Sequence, residues 1–379
     1  MTGKERVDKN GKGITRRDFI KYVSTSAGIA AATIALSKSV AYTLPTGKAS
    51  LTTESLYGHP TGVAAVAQTE GGITPMDFLT DFYQGQVNPL TGEREFSLTA
   101  VNQPVTVARE VQFPAWAFRT ASANMATVPG PTLRCVQGDK VRLRLVNGTG
   151  HPHTIHLHGI HPALADGVFE PVDPGKVYEY AFDAEPFGLF LYHCHIMPVK
   201  KHIAKGLYGA FIIDPADPPN GPGPRPRAER EFVMVMNGFD VDFDDENDFY
   251  TVNGIANYFL ENPITIRVGE LVRIYLVNMT EFDPVNSFHL HGNVYRLYRT
   301  GTRFDPTAVL DRNPARPLDT RIREWLYLDN FAEITDNVFL GQGERAVIEF
   351  VPPHPGRFLF HAHQSEFIEL GWTGVFNVI

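Results

Sequence analysis

Cysteine is scarce in this chain: two residues, Cys135 and Cys194, among 379. Two thiols cannot build a disulfide scaffold, so the fold must rest on an apolar core. Charge is modest, at 20% of residues with a formal net charge of −8, and Lys and Arg form no dense block. Nucleic acid is therefore excluded as a natural partner. The longest apolar stretch, Ala27 to Leu36, is too short and too rich in small side chains for a stable membrane span. No segment carries a long amphipathic helical period. Gly and Pro are plentiful instead, 33 and 28 residues, about one position in six, which suits a turn-rich β protein. The 43% hydrophobic content excludes wholesale disorder.

The first 41 residues read as an address. Arg16-Arg17-Asp18-Phe19-Ile20-Lys21 precedes the apolar stretch, and Ser39-Val40-Ala41 makes a small-x-small cleavage site. This order resembles a twin-arginine export signal, which carries folded proteins across the bacterial inner membrane. The expectation is a periplasmic or otherwise exported protein with no membrane anchor after cleavage. Residues 42–94 read as a weakly structured extension.

The remainder contains one unit twice. Pro131 to Asn147 echoes Pro263 to Asn278, and in both nine positions separate the Gly (Gly138, Gly269) from the Asn. Each copy then reaches His-Leu-His-Gly, at His156–Gly159 and His289–Gly292. Gly175 precedes His193 by 18 positions, as Gly343 precedes His361. Two homologous domains follow, 95–215 and 229–379, joined by a stiff Pro/Gly-rich linker at 216–228. Alternating runs at 141–146 and 272–277 predict half-buried strands. Short strands between turn signals predict an all-β chain of tandem antiparallel sandwiches or barrels.

Strand parity sorts the histidines. Residues i and i+2 share a face, and i+1 faces away. His156 and His158 thus face opposite to His153, and His193 and His195 opposite to Cys194. Two neighbouring strands can build two sites back to back. One face holds His153 and Cys194; the other holds His156, His158, His193 and His195. Four His-x-His pairs cannot be packed as apolar filler, because buried ring nitrogens need partners. His153, Cys194 and downstream His202 supply the two imidazoles and one thiolate of a blue-copper site. The axial place, five after His202, is Leu207, a side chain with no donor; nearby Met197 is the other candidate.

His-x-x-His-x-His, His-Cys-His and a later His, repeated over about residues 95–379, resemble the multicopper oxidase signature, with the short two-domain, laccase-like members the best match. The resemblance implies tandem cupredoxin Greek-key domains and four coppers per chain. It assigns His153, Cys194 and His202 to a type 1 copper. His156 and His289 go to a type 2 copper, and His158, His193, His195, His291, His361 and His363 to a type 3 pair. It implies one-electron oxidation of a phenol-like, metal-ion or protein donor coupled to reduction of dioxygen to water. It also implies a homotrimer, since the half-sites of domain one and domain two meet across subunits, a heterologous but closed arrangement. Asp166 and Glu366 resemble the family's proton-handling carboxylates. In domain two Ala362 stands in the cysteine's place, Asn286 in that of His153, and Phe367 and Trp372 in those of His202 and Leu207. A second type 1 site is therefore not expected. Copper nitrite reductases share the two-domain plan and form the rival reading. Their first motif resembles His-x-x-Asp-x-His, however, and here His156 stands at that Asp. His59, His151, His161 and His354 fit no ligand position, Cys135 reads as a buried free thiol, and Asp240–Asp248 as a solvated loop.

Overall fold

The two alternating runs become equivalent strands of two repeated β-sandwiches. The computed structural model describes residues 73–217 and 226–379. The export signal, most of the extension and linker positions 218–225 lie outside the described residues. The first domain runs β1 (Phe82–Tyr83), β2 (Gln86–Val87), β3 (Arg94–Ala108), β4 (Val111–Thr120), β5 (Thr132–Val136), β6 (Lys140–Asn147), β7 (His156–Leu157), β8 (Val177–Asp183), β9 (Gly188–His193) and β10 (Tyr208–Asp214). The second runs β11 (Arg230–Phe239), β12 (Phe249–Val252), β13 (Ile264–Ile266), β14 (Val272–Asn278), β15 (Val285–Leu290), β16 (Tyr295–Arg299), β17 (Glu333–Thr335), β18 (Asn337–Gly341), β19 (Arg345–Phe350), β20 (Gly356–His361) and β21 (Thr373–Val378).

The repeat is one of topology as well as sequence. In one sheet β3 pairs in parallel with β6, and β6 antiparallel with β8; β11, β14 and β19 do the same. In the other sheet β5–β10 is parallel, β10–β9 and β9–β7 antiparallel; β13–β21, β21–β20 and β20–β15 repeat that pattern. Each domain is thus a cupredoxin-like Greek-key sandwich.

Strand β6 alternates buried and exposed residues as its sequence predicts, but β14 is buried on both faces. The reason is the partner domain. Tyr275 and Val277 of β14 join Val233, Val235, Leu189, Leu191, Ala210 and Ile212 in one apolar cluster between the sandwiches. Arg273, on the same strand, is buried and held by Glu349 (2.8 Å) and Glu231 (2.9 Å), which satisfies its charge.

Residues 73–94 are not a loose extension. Thr74 and Asp77 form a reciprocal capping box on the helix Pro75–Phe78. Phe78 packs in the interdomain cluster and Leu79 in the second domain's core, while β1 adds to the first domain's sheet beside β5. Alternation failed as a signal here because the strands have only two residues each. The helix Leu318–Leu326, also unforeseen, lies in an insertion of the second domain and buries Ile322, Trp325 and Leu326.

Candidate metal centre

Strands β7 and β9 lie side by side with His156 opposite His193. That register fits the two faces that parity separates, His153 and Cys194 on one and His156, His158, His193 and His195 on the other. On the inner face His153, Cys194 and His202 converge, all buried. The Nδ1 atoms of the two imidazoles are 3.2 Å apart, and Cys194 Sγ lies 3.7 Å from His153 Nδ1 and 3.2 Å from His202 Nδ1. An ion at the centre of that triangle would sit roughly 2 Å from each corner, a metal–ligand bond length. His202 reaches the triangle from the short helix Val199–Ala204. Of the two axial candidates, Leu207 is fully buried, its carbonyl accepting the Cys194 N–H at 2.9 Å, whereas Met197 is 77% exposed.

The electrostatics fit a cation. Burial is the main force pulling the His153 pKa down to about 3 and that of His202 to about 4, so both rings are neutral ligands at ordinary pH. Burial also pushes the Cys194 thiol up, although the Thr154 N–H donates to its sulfur at 3.4 Å. A thiol in that environment ionises only beside a bound cation.

On the opposite face His156, His158, His193 and His195 form a quartet. Ring centroids are 5.2 Å apart for His156–His158 and His156–His193, and 5.3 Å for His156–His195. The second domain repeats it. His289 lies opposite His361 in the strand register, 4.9 Å from His291, 5.2 Å from His361 and 5.4 Å from His363. The tautomers are fixed alike. Nδ1 of His193 lies 3.0 Å from the Cys194 carbonyl, and Nδ1 of His361 is likewise bonded to the Ala362 carbonyl at 2.6 Å. Donating Nδ1–H to those acceptors leaves Nε2 free to bind metal. Burial lowers His158 to about 3 and His193 to about 4, and it lowers His291 and His361 in the same direction.

Several supporting residues escaped the sequence reading. Thr154 Oγ1 accepts the His195 N–H at 3.1 Å, and Ser287 Oγ accepts the His363 N–H at 2.7 Å. Both sit one residue after the first-domain His153 and its counterpart Asn286, so the repeat itself could have found them. The Asp336 carbonyl holds His289 Nδ1 at 2.8 Å, as the Asp166 carbonyl holds His156 Nδ1 at 2.7 Å. Asp336 lies 47 positions after its histidine and Asp166 only 10, so no shared spacing announced it. The Asp166 carboxylate is 3.4 Å from His156 Nδ1 and 3.8 Å from His161 Nε2, which places His161 beside the quartet. Glu366 is exposed on the first turn of the helix Ser365–Glu369. Loop 240–248 is less solvated than its charge implies: Asp240 is buried, and Asp245 pairs with Lys200 of the His202 helix at 2.9 Å.

A family model described as multicopper oxidase matches residues 113–218, and a second of the same description matches 233–379. The chain belongs to the multicopper oxidase family. A solved structure titled as a multicopper oxidase is 41% identical, with a TM-score of 0.69 over 82% of this chain and 98% of that one. Copper-containing nitrite reductase of Neisseria meningitidis serogroup B is 25% identical over 224 residues, 54% of each protein. Copper resistance protein A of Escherichia coli is 35% identical over 135 residues, 34% of this chain and 20% of that protein. The chain thus spans about half or less of these two curated relatives. Membership of the multicopper oxidase family implies copper and supports an oxidoreductase chemistry.

Within this chain the second domain has no thiolate site. Ala362, Phe367, Trp372 and Asn286 are buried where the first domain has Cys194, His202, Leu207 and His153. The backbone equivalence is direct: the Ala362 N–H bonds the Trp372 carbonyl and the Trp372 N–H that of Phe367, as Cys194 bonds Leu207 and Leu207 bonds His202. Trp372 Nε1 donates to Asn286 Oδ1 at 2.9 Å, which closes the space with a satisfied polar pair.

Proposed function

We propose that this chain is a laccase-like oxidase. It couples one-electron oxidation of a small reducing substrate or electron-donor protein, at the His153–Cys194–His202 site, to four-electron reduction of dioxygen at a cluster held by both quartets. The observation that carries this reading is the matched second quartet, His289, His291, His361 and His363, oriented as the first. A mononuclear centre has no use for eight imidazoles. Copper, four ions per chain, supplies the one-electron chemistry at the thiolate and the multi-electron chemistry at the cluster.

The chain's own contribution is arrangement. Cys194 is bonded through the backbone to both His193 and His195, so the two sites share one peptide segment. We assign to Asp166, 3.4 Å from His156 Nδ1, the role of holding a proton at the first quartet, and to Glu366, three residues after His363, the same role at the second. Each histidine cluster draws on a single domain. We therefore infer that a neighbouring copy completes the site, domain one of one chain against domain two of the next, in a homotrimer. Exposed apolar side chains support this: Ile160, Leu164 and Phe169 on the first domain's Asp166 loop, and Val285, Val294 and Phe339 on the second. We also propose export by the twin-arginine pathway to the periplasm; among the described residues no helix is long and apolar enough to cross a membrane.

The deciding experiment uses copper-loaded protein. Four coppers per chain with oxygen uptake is the expected outcome. Two coppers with nitrite consumed and nitric oxide released would replace this reading with the nitrite reductase one, and a fully active monomer would end the shared-site reading. Asp166→Ala and Glu366→Gln should each slow oxygen reduction while leaving the blue absorption intact.

A further inference from the structure

The first quartet stands at the end of the face on which the two sandwiches meet. Strand parity places Leu189, Leu191 and His193 on one face of β9, and both leucines belong to the interdomain cluster. The second domain presents β19 to that cluster through Val347. Arg345, two residues before Val347, shares its side of β19. Its Nε donates to the Leu189 carbonyl at 2.9 Å, and its guanidinium lies 5.4 Å from the Phe190 ring centroid. The next carbonyl on that edge of β9, Leu191, accepts the His158 N–H at 3.0 Å. Arg345 therefore continues the edge that His158 occupies, two residues and roughly 7 Å along the strand. The second domain's backbone comes close here. The Leu189 N–H donates to the Thr300 carbonyl at 2.8 Å, and a β-carbon on Gly188, at φ +147°, would stand 2.7 Å from Thr302 Cγ2.

Arg345 is half-buried, yet it differs from Arg134 and Arg273 in its partners. Arg134 pairs with Asp214 at 2.6 Å and Glu231 at 2.9 Å, and Arg273 with Glu231 and Glu349 at 2.9 and 2.7 Å. Among the described residues no carboxylate lies within ion-pairing distance of Arg345, whose hydrogen bond goes to a neutral carbonyl. Burial pulls its pKa down, against the charge of Glu344, but a guanidinium keeps its proton in a protein. Its field reaches the quartet: after burial and the charges of His193 and His156, Arg345 also lowers His158. We propose that Arg345 is an uncompensated positive charge, carried in by the second domain, that makes the first quartet's metal select small anions as ligands. This rests on the quartet holding copper, as in the oxidase reading above. Dioxygen gains negative charge as it accepts electrons, so a fixed cation at this place favours its retention. Arg345 acts through space and adds no redox step.

Azide titrated into oxidised, copper-loaded protein, followed by visible absorption, reads the anion affinity directly. R345Q should raise the azide Kd about fivefold while copper content and the blue absorption stay unchanged. R345M, which keeps the apolar stem, should give the same result and stands in for R345Q if that variant fails to load copper. R345K, which restores the charge without the planar fork, should return the Kd to within about twofold of the wild type. Four coppers and oxygen uptake, with a wild-type azide Kd in the two neutral variants, overturns the assignment and leaves the oxidase reading standing. An equal loss of affinity in R345K and R345Q also overturns it, because the side chain would then act by holding the Leu189 carbonyl and not by charge. The fivefold shift with rescue by lysine, in a two-copper protein that consumes nitrite, would uphold Arg345 and remove the oxidase.

Discussion

The two domains share strand order, strand pairing, a histidine quartet and the hydroxyl that ties its last member, yet only the first keeps a thiolate. The difference lies in four side chains on one backbone plan. His153, Cys194, His202 and Leu207 frame a cation site, and Asn286, Ala362, Phe367 and Trp372 fill the same space with packed apolar groups and one satisfied polar pair. Backbone register sets where ligands can stand, and side-chain identity decides whether they do. The quartet persists in both copies, as it should if each domain supplies half of the one larger site proposed above.

The largest test of that contrast is at the sulfur. Cys194→Ser should abolish substrate oxidation and the blue absorption and remove one copper per chain, while the quartets keep theirs. Ala362→Ser, the equivalent change in the second domain, should leave copper content and turnover unaltered and cost about 1–3 kcal/mol for a hydroxyl buried without a partner. Copper analysis and denaturation of both variants check this. Equal copper loss from both would mean the domains are not divided as described.

Packing provides the next contrast. Trp372→Ala removes a fully buried indole and the Asn286 partner, and should cost about 3–5 kcal/mol in urea denaturation. Leu207→Ala should cost about 2–4 kcal/mol in the metal-free protein. A larger loss at Leu207 would show that the second domain's space is not tightly filled.

Acid should separate the domains more gently. His153, His158, His193 and His202 have folded-state pKa values of about 3 to 4, below an unfolded value near 6.5. Between those limits the unfolded chain binds more protons, so stability of the metal-free protein rises with pH and falls as pH drops below about 6.5. The shifts in the second domain, at His291 and His361, share that sign. The metal-free first domain should therefore lose protection earlier in hydrogen exchange at pH 5 than at pH 7. Identical protection of both domains at the two pH values would contradict the burial of the first-domain imidazoles.

Much of this was legible in the sequence because it is written in period two. Parity around His153–His158 and His193–His195 separates the two faces without any structure, and the repeat identifies Ala362 and Asn286 as replacements. Other features needed the third dimension. Trp116 reads as one more strand residue; only the long β3–β4 pairing and the Lys205 carbonyl bring it to the imidazoles. The buried second face of β14 depends on the neighbouring domain, and residues 73–94 fold because Phe78 and Leu79 find cores made elsewhere.

The smallest expected effect probes whether the quartets are true equivalents. Thr154→Val and Ser287→Ala each delete the hydroxyl that accepts a histidine N–H, at His195 and His363. Neither hydroxyl touches metal, so the change loosens the segment that aims a ring. Each variant should lower copper affinity at the cluster about tenfold, the low end for outer-shell substitutions, and leave the blue absorption in place. Ser287 also bonds Gln364 through its hydroxyl, 2.5 Å from Oε1, so its loss should be slightly the greater. Competitive copper titration of the two variants measures the difference. If Thr154→Val weakens the site and Ser287→Ala does not, the two quartets are not equivalent in how their own domains aim them.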